Sequence, residues 1–247
     1  FTVVLDAQPT SDVVIVLTSS DTGEATVNSP LTFTAANWDT PQTVTVTGAD
    51  DGSVVDGGQT STITISIDDA NSNDSFDGVT DQTVTVTTTD DDVAGFTISE
   101  TNGSTEVDES GTTDTFTVVL DAQPTSDVLL SLSINDTSEA SVSSSLTFTP
   151  INWDSPQTVT VTGLDEETVD GTQTSIITIA VVDAVSNDSF DGVTDQTVTV
   201  TTTDDDVAGF TVVELGGSTE VDESGTTDTF TVVLDAQPSS DVVIVLT

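Results

Sequence analysis

The sequence predicts an all-β protein made of tandem immunoglobulin-like sandwich repeats of about 114 residues, arranged as a rod. Three observations predict this class: self-similarity at a fixed period, alternation of Thr and Val, and turn dipeptides between the alternating runs. Alternation is typical of half-buried strands, because successive side chains point to opposite faces. Short strands separated by regular turn signals favour a sandwich.

The repeats set the domain boundaries. Residues 1–12 recur unchanged at 116–127 and with one change at 230–241, which gives offsets of 115 and 114 residues. Residues 72–96 recur identically at 186–210. We therefore expect a complete unit at 93–206, a unit lacking its first strand or strands at 1–92, and the start of a third at 207–247. We therefore expect the chain to be a stretch of a longer tandem array.

The elements follow from the alternating runs. In the complete unit, strands are predicted at residues 95–99, 115–120, 128–134, 146–149, 158–162, 175–182 and 196–202, and in the first copy at 43–47 and 83–87. Asp-Gly pairs, as at Asp56 and Asp170, mark turns. We expect the Phe residues and the two Trp residues, Trp38 and Trp153, to pack in the core or anchor loops rather than form a sugar platform.

The composition excludes many functions. The 247 residues include 44 Asp and Glu but no Lys, Arg, His or Cys, so the net charge is −44. This excludes the basic surface that nucleic acids and anionic lipids require, the usual zinc, haem and iron–sulfur sites, and disulfides. No apolar run is long enough for a transmembrane helix. Acid pairs can hydrolyse glycosides, but these acids recur in every copy without aromatic subsites, so we expect no enzyme.

The acidic residues form clusters at predicted strand ends. In the complete unit these are Glu106, Asp108 and Glu109, then Asp165, Glu166, Glu167 and Asp170, then Asp204, Asp205 and Asp206. Calcium takes six to eight oxygen ligands and suits carboxylates from several loops. The sequence thus favours calcium sites, with a solvated acidic surface as the alternative. A run starting at Asp69 resembles an EF-hand loop but lacks its Gly and Glu, so we interpret it as a polar loop.

Three stretches together resemble the Calx-beta family: Val-Asp-Glu-Ser-Gly from Val107, Pro-Gln-Thr-Val-Thr-Val-Thr-Gly-Leu-Asp-Glu-Glu from Pro156, and Val-Thr-Val-Thr-Thr-Thr-Asp-Asp-Asp from Val198. The resemblance implies an immunoglobulin-like sandwich that binds calcium at one end. Carried over by position, the ligands are Glu109, Asp136, Asp165, Glu166, Asp170, Asp204 and Asp206. The matching positions are Asp50, Asp51, Asp56, Asp90 and Asp92 in the first copy and Glu223 in the third.

The resemblance also implies a place in large secreted bacterial surface proteins. We expect a structural segment of an extracellular fibre, filament or adhesin, with calcium-stabilised junctions that make it a stiff spacer. Its expected partners are neighbouring repeats and other copies in a fibre, without nucleic acid or membrane insertion. Two alternatives stay open: a module that binds a ligand or glycan, and a subunit that polymerises by β-strand donation.

Overall fold

The computed structural model describes residues 1–247, and it confirms the predicted all-β class with its sheets arranged as in sandwiches. The strands are β1 (Thr2–Val3), β2 (Val13–Ser19), β3 (Ala25–Val27), β4 (Leu31–Phe33), β5 (Gln42–Thr43), β6 (Val46–Gly48), β7 (Val54–Val55), β8 (Gln59–Ile67), β9 (Gln82–Thr88), β10 (Phe96–Glu100), β11 (Thr105–Asp108), β12 (Thr113–Leu120), β13 (Gln123–Pro124), β14 (Val128–Ile134), β15 (Ala140–Val142), β16 (Ser145–Phe148), β17 (Gln157–Gly163), β18 (Thr168–Val169), β19 (Gln173–Val181), β20 (Gln196–Thr203), β21 (Phe210–Glu214), β22 (Phe230–Leu234) and β23 (Gln237–Pro238). Short 3₁₀ helices span Asp69–Asn71, Asp74–Phe76, Thr101–Gly103, Asp183–Val185 and Asp188–Phe190.

The chain forms two compact units. Unit 1 comprises residues 1–93 together with 122–125, and unit 2 comprises residues 94–121 and 126–247. Each unit therefore contains residues from more than one sequence repeat.

Unit 2 contains a complete sandwich. One sheet has the strand order β10-β12-β17-β15 and the other β11-β20-β19-β14-β16. All neighbours within these sheets are antiparallel except β11 and β20, which run parallel with Thr105 opposite Val200. Alternate side chains of both sheets, among them Phe116, Phe148 and Ile177, are fully buried, as the period-two pattern requires.

Unit 1 repeats part of this arrangement. Its largest sheet has the order β4-β2-β8-β9, with β9 at the edge and no counterpart of β11 beside it. The pairs β1-β5, β3-β6 and β7-β13 complete the unit. Val13, Phe33 and Ile63 form the centre of its core, and Trp38 packs against that core.

The third copy contributes a two-stranded antiparallel sheet of β21 and β22 to unit 2. Phe210 was predicted to be a core residue, but its side chain is 55% exposed. Its counterpart Phe96 is 2% exposed. The difference arises because β10 lies in a four-stranded sheet of a sandwich, whereas β21 pairs only with β22.

Some strands differ from the sequence prediction. The run at residues 43–47 is divided into β5 and β6, whereas its counterpart in unit 2 is the continuous β17. Strand β17 pairs with eight-residue β12, but the corresponding strand in unit 1, β1, is two residues long. Strands β11 and β15 were not predicted, because four or three residues are too few to show alternation clearly.

Candidate metal centre

Strand β11 brings Glu109 to one end of the unit 2 sandwich. Thr105 and Val107 point inward from this strand, and Glu109 continues the same alternation one residue past its end. The Glu109 amide donates to the Thr203 carbonyl oxygen at 3.1 Å, which extends the parallel pairing with β20.

A glycine makes room for this chain path. A Cβ atom on Gly163 would collide with the backbone carbonyl of Asp108. The missing side chain therefore lets the end of β11 pass directly against β17, which places the Glu109 side chain inside the sandwich.

Glu109 is the most unusual group of the site. Its side chain is 0% exposed, and neither carboxylate oxygen has a hydrogen-bond partner. Burial, together with the nearby charge of Asp204, raises the pKa of Glu109 to about 7. A buried carboxylate without a hydrogen bond or a counter-charge is costly, so the site is suited to receive a positive charge.

Two further glutamates surround this carboxylate. Glu139, directly before β15, is 4% exposed and also has an oxygen without a partner. Glu166 lies in the loop after β17 and is half-buried. Burial, followed by the charge of Asp170, raises the pKa of both Glu139 and Glu166. Desolvation and mutual repulsion thus act in the same direction on all three glutamates.

Asp204 is the carboxylate of the site that accepts backbone hydrogen bonds. Its carboxylate accepts hydrogen bonds from the amides of Gly171 at 2.7 Å, Asp206 at 2.8 Å and Asp170 at 3.0 Å. These bonds, with Gly171 first, hold the pKa of Asp204 below its usual range. The pKa of Asp206 is raised by burial and by Asp204, and one of its oxygens has no partner.

The carboxylates form two groups that share Glu109. One oxygen each from Glu109, Glu139 and Glu166 lies within 4.8 Å of the others, and so does one each from Glu109, Asp204 and Asp206. Several hard oxygen donors without nitrogen or sulfur match the ligand preference of Ca²⁺ or Mg²⁺ rather than of zinc or copper. The partnerless oxygens of Glu109 show that this set fits such a cation.

Unit 1 contains a related acidic group at the corresponding loops, without a counterpart of Glu109. Oxygens of Glu24, Asp51 and Asp56 lie within 4.8 Å of one another beside a cavity of about 20 Å³. Asp90 accepts from the amides of Gly57 at 2.7 Å and Asp56 at 3.0 Å, as Asp204 does in unit 2. The hydrogen bonds from the loop amides to this aspartate thus form in both units.

The structure brings together only some of the predicted ligands. Glu109, Glu166, Asp204, Asp206, Asp51 and Asp56 belong to the carboxylate groups, and Asp170, Asp90 and Asp92 lie in their hydrogen-bonded frames. Asp165, Asp50 and Glu223 are exposed and outside these groups. Asp136 is also exposed, and its carboxylate accepts from the Ser138 hydroxyl at 2.6 Å and the Ser138 amide at 3.1 Å.

Sequence reasoning missed Glu139 and its counterpart Glu24. The resemblance pointed to Asp136 in the same loop, but the structure places Glu139 beside Glu109 instead. A signal was present, since Asp136-Thr137-Ser138 is typical of a turn in which aspartate binds the backbone two residues later. Such a turn already occupies the Asp136 carboxylate.

None of the helices is long and apolar enough to cross a membrane. No protein-family model matches the chain, and no curated protein matches it. Among solved structures it is similar to domains 4 and 5 of the S-layer protein SbsC, with 20% identity, a TM-score of 0.35 and coverage of 76% of this chain and 70% of that one. For SbsC domains 4–9 the identity is 17% and the TM-score 0.35, with coverage of 94% of this chain and 28% of that one, so the chain spans under a third of the length of that solved chain. For CBD12 from CALX1.2 the identity is 13% and the TM-score 0.30, with coverage of 72% of this chain and 71% of that one.

Proposed function

We propose that this chain is a structural repeat segment of an extracellular surface fibre, filament or adhesin, and that calcium stabilises each of its units. The observation that carries the proposal is Glu109, a fully buried carboxylate with both oxygens partnerless among four other acidic side chains. A divalent cation removes the cost of this arrangement by pairing with several carboxylates at once.

The mechanism is electrostatic. The chain has 44 acidic residues and no cationic side chain, so no internal salt bridge can offset repulsion within the clusters. In unit 2 the groups that would hold calcium are Glu109, Glu139, Glu166, Asp204 and Asp206. A bound cation would fix the loops that carry these residues, and the repeated units would then act as stiff spacers.

The proposal includes no catalytic activity. Its partners are neighbouring repeats and other copies in a fibre, and its location is outside the cell. We call the aspartate that accepts the loop amides, Asp204 in unit 2 and Asp90 in unit 1, the aspartate frame of its site. This frame and the buried glutamates hold oxygens in fixed positions, which suits a structural cation.

Calcium titration of the full chain tests the proposal. We expect calorimetric binding at micromolar to millimolar Kd in ample NaCl, and a rise in melting temperature over EDTA that equal ionic strength of NaCl does not reproduce. Glu109→Gln is the matched variant, and it should weaken binding in unit 2 alone. Identical melting in calcium and NaCl would leave only a solvated acidic surface.

Assembly by β-strand addition is a second candidate. In unit 1, β9 is an edge strand with the same sequence as residues 196–202 of β20, the strand that pairs with β11 in unit 2. Residues 219–238 repeat 105–124 identically and are mostly exposed. A second copy could therefore supply residues 219–222 to β9 in the register of β11. Sedimentation tests this: we expect concentration-dependent oligomers that a peptide of residues 207–229 disperses, and a strictly monomeric chain would exclude it.

A further inference from the structure

The same short strand pair occurs in both units. In unit 1, β7 and β13 pair in parallel, with Val54 opposite Gln123. In unit 2, β18 and β23 pair in parallel, with Thr168 opposite Gln237. The Gln123 amide donates to the Ser53 carbonyl at 2.6 Å, and the Gln237 amide donates to the Glu167 carbonyl at 2.7 Å. Because the pairing occurs twice at an offset of 114 residues, we regard it as a regular contact of the repeat.

The paired segment comes from the following sequence repeat. Residues 122–125 belong to the second copy, yet they are part of the compact body of unit 1. Ala122 is 3% exposed and Val55 is 6% exposed, so this contact is largely shielded from water. We name residues 122–124 and 236–238, each with the sequence Ala-Gln-Pro, the AQP segments.

The AQP segments pair with the loop that carries candidate cation ligands, residues 164–172 in unit 2 and 49–58 in unit 1, which we call the acidic loop. Thr168 and Val169 lie between Glu166 and Asp170, and Val54 and Val55 lie between Asp51 and Asp56. On its other side this loop is bound by the aspartate frame, since the amides of Asp170 and Gly171 donate to Asp204. The loop is therefore held by the AQP segment and by the acidic site together.

We propose that the AQP segment of each repeat is a binding element for the acidic loop of the preceding repeat, and that cation binding strengthens this pairing. The inference rests on the proposed function for the cation. Ordering the acidic loop costs conformational entropy, and this cost lowers the affinity of whichever binds first, the cation or the AQP segment. The second partner then binds more tightly, and the coupling acts equally in both directions.

Substituting proline for the donor residue tests the coupling in the full chain. Gln237→Pro removes the amide that donates to Glu167 and should weaken calcium binding in unit 2 about fivefold, the factor for one net hydrogen bond. Gln123→Pro should do the same in unit 1 alone. Binding is followed by NMR on the Gly171 amide for unit 2 and the Gly57 amide for unit 1, since each donates to the aspartate of its site.

Two matched controls separate the causes. Gln237→Ala keeps the amide and should weaken calcium binding less than Gln237→Pro does. Gln8→Pro makes the same substitution at the equivalent position of the first copy, which pairs with no acidic loop within residues 1–247, and should change neither site. If a proline variant fails to fold, hydrogen exchange of the wild-type Gln237 and Gln123 amides gives the answer, because calcium should slow both.

The outcomes distinguish this inference from the proposed function. Calcium binding that is unchanged in both proline variants, or exchange of both amides that calcium does not slow, overturns the coupling and leaves the calcium sites intact. A wild-type chain that binds no calcium overturns both proposals.

Discussion

The acidic sites of the two units differ in how deeply their glutamates are buried. Both have an aspartate that accepts backbone amides of the neighbouring loop, at the same distances of 2.7 and 3.0 Å for Asp90 and Asp204. Only unit 2 adds a fully buried glutamate, Glu109, positioned by β11. The aspartate frame therefore forms without the buried charge, and the buried, unpaired glutamate occurs in the complete sandwich of unit 2.

Calcium should therefore stabilise unit 2 more than unit 1. At calcium a thousandfold above its Kd, we expect about 4 kcal/mol in unit 2 and less in unit 1, which lacks one carboxylate. Each unit contains one Trp, so Trp38→Phe leaves fluorescence that reports unit 2, and Trp153→Phe leaves fluorescence that reports unit 1. Denaturant melts of both variants with and without calcium measure the difference. Equal gains in the two units would show that Glu109 is not a ligand.

The glycines that end β17 and β6, Gly163 and Gly48, should differ next most in their effect on stability. Gly163→Ala introduces a Cβ that collides with the Asp108 backbone and should destabilise unit 2 by about 2–3 kcal/mol. Gly48→Ala is the matched control, since its Cβ would meet only a Thr88 methyl group at 3.9 Å. We expect Gly48→Ala to change the free energy of unfolding by less than about 0.5 kcal/mol. Equal losses would contradict the close passage of β11.

Removing the buried charge should stabilise unit 2 when calcium is absent. At pH 8 in EDTA, we expect Glu109→Gln to raise its free energy of unfolding by about 2 kcal/mol, because an ionised, partnerless carboxylate is replaced by a neutral group. Half-buried Glu24 in unit 1 should give a smaller gain on substitution by Gln. Denaturant melts in EDTA and in calcium measure both effects. A Glu109→Gln variant that is less stable in EDTA would show that this carboxylate has a partner.

The pH dependence of the stability of unit 2 should be determined by Glu109. The pKa of Glu109 rises from an ordinary 4.5 to about 7, so the folded chain keeps a proton that the unfolded chain has released. Without calcium, the stability of unit 2 should fall as pH rises from about 4.5 to about 7 and then level off. Glu109→Gln should flatten the profile, and a rise over this window would contradict the assignment.

Substitution of Asp136 should have the smallest effect on the free energy of unfolding. Asp136→Ala removes a turn hydrogen bond and should cost about 0.5–1 kcal/mol while leaving calcium affinity unchanged. Glu139→Gln, three residues later, should weaken calcium binding. Calorimetry on both variants separates the turn residue from the ligand. If Asp136→Ala weakens binding as much as Glu139→Gln, Asp136 is a ligand as the resemblance implied.

The sequence was sufficient for the fold class and for much of the strand pattern, because β19 and β20 are long enough to show the alternation of Ser, Ile, Thr and Val clearly. It could not reveal β11, whose parallel pairing depends on residues almost a hundred positions later in the chain. Glu109 was predicted as a ligand by resemblance, but its complete burial depends on that pairing. The choice between Asp136 and Glu139 depends on local turn geometry that spacing alone does not resolve.

The identity of β9 and β20 has a consequence for folding kinetics. Strand β11 pairs with β20, although β9 offers the same seven residues from Gln to Thr and lies much nearer in sequence. Closing the shorter loop costs less entropy, and during synthesis β9 emerges long before β20. In the nascent chain, β11 can therefore pair with β9, its incorrect partner, before β20 has been synthesised. The same competition arises with each further repeat. Exchange of strands between neighbouring repeats is the characteristic error expected of such an array.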